Sequence, residues 1–237
     1  QGHRIHSVVV VSPFSLRRLR ALIRQRGVDG VRKAWQRMLG RQKDGTASDP
    51  VLEILQLQDL PERSSRSWTN LHGAGYLTAK DVNSRSVSRW IKDADPDYVI
   101  YGGGGILRRE FLLSAKHGVL NAHSGPLPEI RGMNACEWSL LLGVKPAVTI
   151  HFIDEGIDTG ATIMKREVDV VEGDSIDTLR SKCVAYGVEA LVDVFAGSKL
   201  DEFSLSDQPT DPSPGRQCFV LAPVLREVLE HRLAAKK

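Results

Sequence analysis

Residues 118–160 read GVLNAHSGPLPEIRGMNACEWSLLLGVKPAVTIHFIDEGIDTG, and they set the expectation for the whole chain. A short apolar run, Val119 to Asn121, reads as a strand and opens into a loop that lasts through Gly132. Apolar spacing then predicts a helix from Ala135 to Leu142. Val148 to Ile153 alternates as a second strand and empties into an acidic loop bounded by Gly156 and Gly160. Strand, helix, strand, each ending in polar residues, is the pattern of an α/β domain.

The same alternation extends in both directions. Upstream, Asp95-Pro96-Asp97 turns the chain into a strand from Tyr98 to Tyr101, followed by Gly102 to Gly105 and a helix from Arg108 to Lys116. Asn83-Ser84 caps a helix over Arg85 to Lys92. The β-branched run Ser7 to Ser12 suits a buried parallel strand, and Val51 to Leu60 alternates loosely as another. Arg63 to Gly73 carries no clear signal. Downstream, Ala161 to Val170 alternates, and Ser175 starts a long amphipathic helix ending near Phe195. Ser204 to Gly215, rich in Pro, Ser and Asp, reads as a tether to a last helix over Val224 to Leu233. The expectation is one α/β domain over residues 4–200 with a mostly parallel sheet, and a tether and short helix over 201–237 packed on it. Residues 1–3, Gln1-Gly2-His3, read as a tag remnant.

Composition limits the function. The chain has 237 residues, 41% of them hydrophobic, enough for a core without covalent staples. Three dispersed cysteines, Cys136, Cys183 and Cys218, form neither a disulfide framework nor a metal motif, and point to a reducing, cytoplasmic setting. No apolar run approaches the ~20 residues of a membrane span. Net charge is +3, but ten Lys or Arg against one acid fall between Ser15 and Lys43, on helical spacing from Leu16 to Leu39. Such a face suits phosphates, or is simply a solvated helix face; without interleaved aromatic residues it does not favour a nucleic-acid partner.

In open α/β sheets, ligands bind beyond the carboxyl ends of strands. Gly102 to Gly105, Asn121-Ala122-His123 and Asp154 to Gly160 all follow expected strands. Asn121 and His123 share one side of an extended segment; an amide can donate to an oxyanion and an imidazole can move a proton. One of Asp154, Glu155 and Asp158 could take a proton from an attacking amine. Taken singly, each of these groups is as readily a cap, a turn or a structural histidine. The glycine run lacks the dinucleotide fingerprint, which argues against a nicotinamide oxidoreductase.

Together, N-x-H, x-x-L-P-x-x-R-G and H-F-x-D-x-G-x-D-T-G resemble the folate-dependent formyltransferases, a superfamily acting on glycinamide ribonucleotide, methionyl-tRNA and amino sugars. The resemblance is specific from about Pro96 to Val170. It implies a Rossmann-like fold with N10-formyltetrahydrofolate as donor and no metal. It also implies catalytic roles for Asn121, His123 and Asp158, supported from behind by Thr149 and His151. Gly104, Gly105, Ile106 and Leu107, with Asp154, Glu155, Gly156 and Ile157, fall on the segments around the pterin, and Arg131 and Gly132 on the acceptor side. The implied reaction is attack of a neutral amine on the formyl carbon. Asn121 and protonated His123 would stabilise the oxyanion, and Asp158 would help carry the proton.

The segment Ser12-Pro13-Phe14-Ser15 departs from the Gly/Ser-rich phosphate loop of the glycinamide ribonucleotide enzymes. The short stretch after Gly215 differs from the large C-terminal domain of the methionyl-tRNA enzymes. The expected acceptor is therefore a small primary amine, an amino sugar carried on a nucleotide being favoured, and a homodimer is compatible with this. A hydrolase passing the formyl group to water, or a folate-binding member without catalysis, are the alternatives.

Overall fold

The computed structural model describes residues 3–12, 50–56, 64–103, 105–197, 200 and 215–235. The expected basic helix of residues 15–43, most of the tether and Gly104 lie outside them. The strands are β1 (Ser7–Val11), β2 (Gly75–Ala79), β3 (Tyr98–Tyr101), β4 (Gly118–His123), β5 (Ile130–Gly132), β6 (Ala147–Phe152), β7 (Thr162–Glu167) and β8 (Arg216–Cys218). The helices are α1 (Pro50–Ile54), α2 (Ser65–Leu71), α3 (Arg85–Ala94), α4 (Arg109–Leu112), α5 (Ala135–Leu142), α6 (Ile176–Ala196) and α7 (Pro223–Ala234).

The sheet that carries the polar motifs has the order β3-β4-β6-β7. β3 and β4 run parallel, whereas β4–β6 and β6–β7 run antiparallel. β1 with β2 and β5 with β8 form two further parallel pairs. Parallel pairing thus prevails across the described strands, with the antiparallel part concentrated around β6. All six residues of β6 are buried, and two of them, Thr149 and His151, are polar.

Alternation along β4 assigns its two faces. Leu120 and Ala122 pack towards α6, where Gly187 admits Ala122: a Cβ on Gly187 would lie 3.1 Å from the Ala122 Cβ. Val119 packs on the opposite side with Val87, Ile91 and Phe111 from α3 and α4. α6 forms because Ser175 caps it reciprocally. The Ser175 Oγ accepts from the Thr178 amide at 3.1 Å, and the Thr178 Oγ1 accepts from the Ser175 amide at 2.8 Å. Its inward face then buries Leu179, Cys183, Ala190 and Val194.

Three expectations need correction. The start of the expected strand over Val51 to Leu60 is helical, with Pro50 as the first residue of α1, where a fixed φ and a missing N–H cost nothing. The expected helix over Arg108 to Lys116 ends at Leu112, because the Lys116 and His117 amides leave the helix for the Pro96 and Asp97 carbonyls. The silent stretch Arg63 to Gly73 contains α2, capped by Ser64, whose Oγ accepts from the Ser67 amide at 3.0 Å. No described helix is long and apolar enough to cross a membrane.

Candidate active site

The register of β4 against β6 assembles the site. Asn121 pairs with His151 and His123 with Thr149. Directly opposed residues of antiparallel strands project to the same face, so N-x-H on one strand meets T-x-H on the other. Asn121 and His123 therefore lie within the strand end rather than beyond it.

His151 sets the polarity of the cluster. It is 1% exposed, and burial lowers its pKa to about 4 against the opposing pull of Asp158, so the ring is neutral at physiological pH. Its Nδ1 donates to the Phe152 carbonyl at 2.7 Å, which leaves Nε2 as a lone pair. The Asn121 Nδ2 lies 3.1 Å away and donates to it. One amide hydrogen of Asn121 is thereby held, and the other has no acceptor among the described residues. That free donor sits in a side chain lining a cavity of about 430 Å³.

Asp158 closes the cluster from the loop after β6. Its backbone takes a left-handed φ of 52°, uncommon outside glycine. The Gly132 amide donates to its Oδ2 at 2.8 Å; the same carboxylate lies 3.5 Å from the His123 Nδ1 and 3.8 Å from the His151 Nε2. Gly132 can approach because it has no side chain: a Cβ there would fall 2.1 Å from the Cys218 carbonyl oxygen. The His123 Nε2 donates to the Ile130 carbonyl at 3.1 Å, so both of its ring nitrogens face protein oxygens. The donor expected of His123 towards an oxyanion is thus committed to Ile130 in this arrangement, and Asn121 offers the free one. Thr149 supports the loop behind, donating to the Gly125 carbonyl at 2.8 Å and accepting from the Leu127 amide at 3.1 Å.

The three acids of the loop separate cleanly. Asp154 organises the loop itself, accepting from the Gly156 amide at 3.0 Å and the Thr159 hydroxyl at 2.7 Å. Glu155 is exposed and paired with Arg109. Only Asp158 turns inward. Asp154 and Glu155 also line a second hollow of about 570 Å³ with Leu112, Leu113, Val119 and Ile153. The other residues expected at the pterin do not line this hollow: Ile106 and Ile157 are exposed, Gly105 has an open left-handed backbone (φ 124°), and Leu107 joins the core. Arg131 donates to the Gly215 carbonyl at 2.8 Å and so ties the tail to β5.

Sequence reasoning missed Asn134, Glu137 and Arg180, which line the first cavity with Asn121 and His123. Glu137 and Arg180 stand far apart in sequence, so only packing of α5 on α6 reveals them. No group of His, Cys, Asp and Glu among the described residues has the geometry of a metal site.

Comparison with known proteins places the chain in a family. Residues 28–195, well over half of the chain, match the family model described as Formyl transferase. Over 138 residues the chain is 32% identical to the methionyl-tRNA formyltransferase of Anaeromyxobacter dehalogenans (strain 2CP-C), covering 57% of this chain and 44% of that protein. The chain thus spans less than half the length of this curated relative. Among solved structures, the formyltransferase PseJ from Anoxybacillus kamchatkensis, in complex with UDP-4,6-dideoxy-4-formamido-L-AltNAc and tetrahydrofolate, superposes with a TM-score of 0.51 at 23% identity, covering 68% of this chain and 82% of that one. The phosphoribosylglycinamide formyltransferase from Anaplasma phagocytophilum gives 0.52 at 24% identity, covering 65% and 78%. These two likenesses establish the Rossmann-like fold. The chain belongs to the formyl transferase family.

Proposed function

We propose that the protein transfers a formyl group from N10-formyltetrahydrofolate to a primary amine, and that the acceptor is an amino sugar, favoured in nucleotide-linked form. The observation that carries this is the meeting of Asn121, His123, His151 and Asp158 on one strand face beside a cavity. The second hollow fits the folate: apolar walls from Leu112, Leu113, Val119 and Ile153 suit a flat ring, and Asp154 and Glu155 offer acceptors for its N–H groups. The donor, when bound, supplies an activated formyl carbon.

The residues then divide the work. Asn121 directs its free amide N–H at the oxygen on which charge develops, a contribution of roughly 3 kcal/mol to the barrier. The neutral His151 keeps that amide from rotating. Asp158, anchored by Gly132 and beside His123, takes the proton that the amine sheds as the new C–N bond forms and would pass it to the folate nitrogen as the bond from that nitrogen to the formyl carbon breaks. Positioning of the amine against the formyl group supplies the remainder without a covalent enzyme intermediate.

A methionyl-tRNA acceptor is the second reading, supported by the name of the 32%-identical relative. The test is tetrahydrofolate formation from N10-formyltetrahydrofolate with nucleotide-linked amino sugars, methionyl-tRNA or no amine, with Asp158→Asn as blank. Turnover with an amino sugar, lost in the blank, is the expected result. Turnover with methionyl-tRNA alone moves the acceptor to the second reading. Release without any amine means hydrolysis, and absence of folate binding removes the proposal.

A further inference from the structure

We propose that Glu137 determines acceptor specificity: its Oε2 receives a hydrogen bond from a hydroxyl beside the reacting amine. This rests on the formyl-transfer reading above and narrows its substrate class.

Glu137 lies in the first turn of α5 and is 4% exposed, an unusual place for a carboxylate. Three donors meet it, and all three reach the same oxygen. Arg180 donates to Oε1 from Nε at 2.8 Å and from Nη2 at 2.5 Å, and Asn134 donates to it from Nδ2 at 3.0 Å. Asn134 is itself fixed from behind, because its Oδ1 accepts from the Leu221 amide at 3.0 Å. Oε2 has no donor among the described residues, yet it is not sealed from solvent. Glu137 lines the cavity that Asn121 and His123 also line.

A structural clamp between α5 and α6 would use both carboxylate oxygens on the guanidinium fork, the bidentate geometry that Arg favours. Here the fork is spent on one oxygen, and the other is left without a protein donor in a residue that lines the cavity. An oxygen of an ionised carboxylate only accepts, so its ligand must bring a donor. An amino sugar with a hydroxyl adjacent to its amine brings one at the right end of the molecule. The aminoacyl ester of a charged tRNA has an ester carbonyl next to the amine, and its nearest hydroxyl lies beyond the ester on the ribose.

The experiment measures equilibrium binding, so it needs no turnover. The probe is a UDP-linked 4-amino-4,6-dideoxyhexose bearing a 3-hydroxyl, compared with its 3-deoxy analogue by calorimetry. Wild type should bind the parent about 10- to 100-fold more tightly than the 3-deoxy analogue, the range of a hydrogen bond to a charged group. Glu137→Gln, which keeps an acceptor for Arg180 but turns an amide N–H to the cavity, should lose that preference. Its folate affinity should stay unchanged. In assays, the acceptor KM should rise while the donor KM stays constant.

Equal binding of the two sugars by wild type, or no binding of either, overturns the assignment, and this comparison stands even if the variant does not fold. A folded Glu137→Gln that retains the wild-type preference overturns it as well. Glu137-dependent binding without formyl transfer refutes the reaction and leaves the sugar-binding assignment in place.

Discussion

Replacing His151 with Gln should flatten the acid limb of the stability profile. The folded-state pKa of His151 is about 4, against 6.5 for the free side chain, chiefly because burial disfavours the charged ring. Between those values the unfolded chain takes up a proton that the folded chain refuses. The stability contributed by the neutral ring is therefore complete above 6.5 and is lost as pH falls towards 4. Integrating this difference gives a loss of roughly 2 kcal/mol between about pH 8 and about pH 5 from this one residue. Urea denaturation of wild type and His151→Gln across that range isolates the term, since the other titrating groups are shared. The difference between the two unfolding free energies should shrink by about 2 kcal/mol on acidification. Parallel profiles would refute the assignment of a neutral buried ring, and with it the argument that His151 holds Asn121. A protonated Nε2 would face the Asn121 amide nitrogen donor to donor, so activity should hold across this range and fall only as pH nears 4, where the folded ring itself takes up a proton.

Asn121→Ala should lower kcat by roughly 10²- to 10³-fold in the tetrahydrofolate-release assay with little change in donor KM; a change within a few-fold would move oxyanion stabilisation elsewhere. Gly132→Ala forces a Cβ to 2.1 Å from the Cys218 carbonyl at a φ of 92°. Chemical denaturation should show a loss of about 2–4 kcal/mol, with weaker anchoring of Asp158. Thr149→Val leaves the Gly125 carbonyl and the Leu127 amide without their shared hydroxyl, a loss of about 2 kcal/mol or more by the same measurement. Stability unchanged in Thr149→Val would mean that water replaces the hydroxyl in the loop.

Much of the fold was legible because local patterning decides it. The helices starting after Ser84 and Ser175 and the strands around Val119 and Val148 are marked by apolar periodicity, and Ser175 also caps its helix. The failures occur where a short element owes its existence to a distant partner. β5 and β8 are three residues each and pair with one another across more than eighty positions, so neither announces itself. The stretch Val51 to Leu60 alternates loosely like a strand, but its start lies in the helix that Pro50 opens.

The site divides along the same line. Asn121 and His123, two apart, share a strand face by the period of the backbone alone, and sequence is enough to say so. Choosing Asp158 over Asp154 and Glu155 from the residues alone was not feasible, because all three sit in one glycine-bounded loop. Which of them turns inward is decided by the Gly132 amide, by a left-handed turn at Asp158, and by the Thr159 hydroxyl bound to Asp154. The neutrality of His151 and the free oxygen of Glu137 are likewise properties of burial and of partners from other elements. Sequence by itself determined the order of strands and helices and the chemistry available at their ends, since these follow from neighbours along the chain. Which of those groups is charged, which is held and which is free was decided by the tertiary structure, because desolvation and hydrogen bonding depend on neighbours in space.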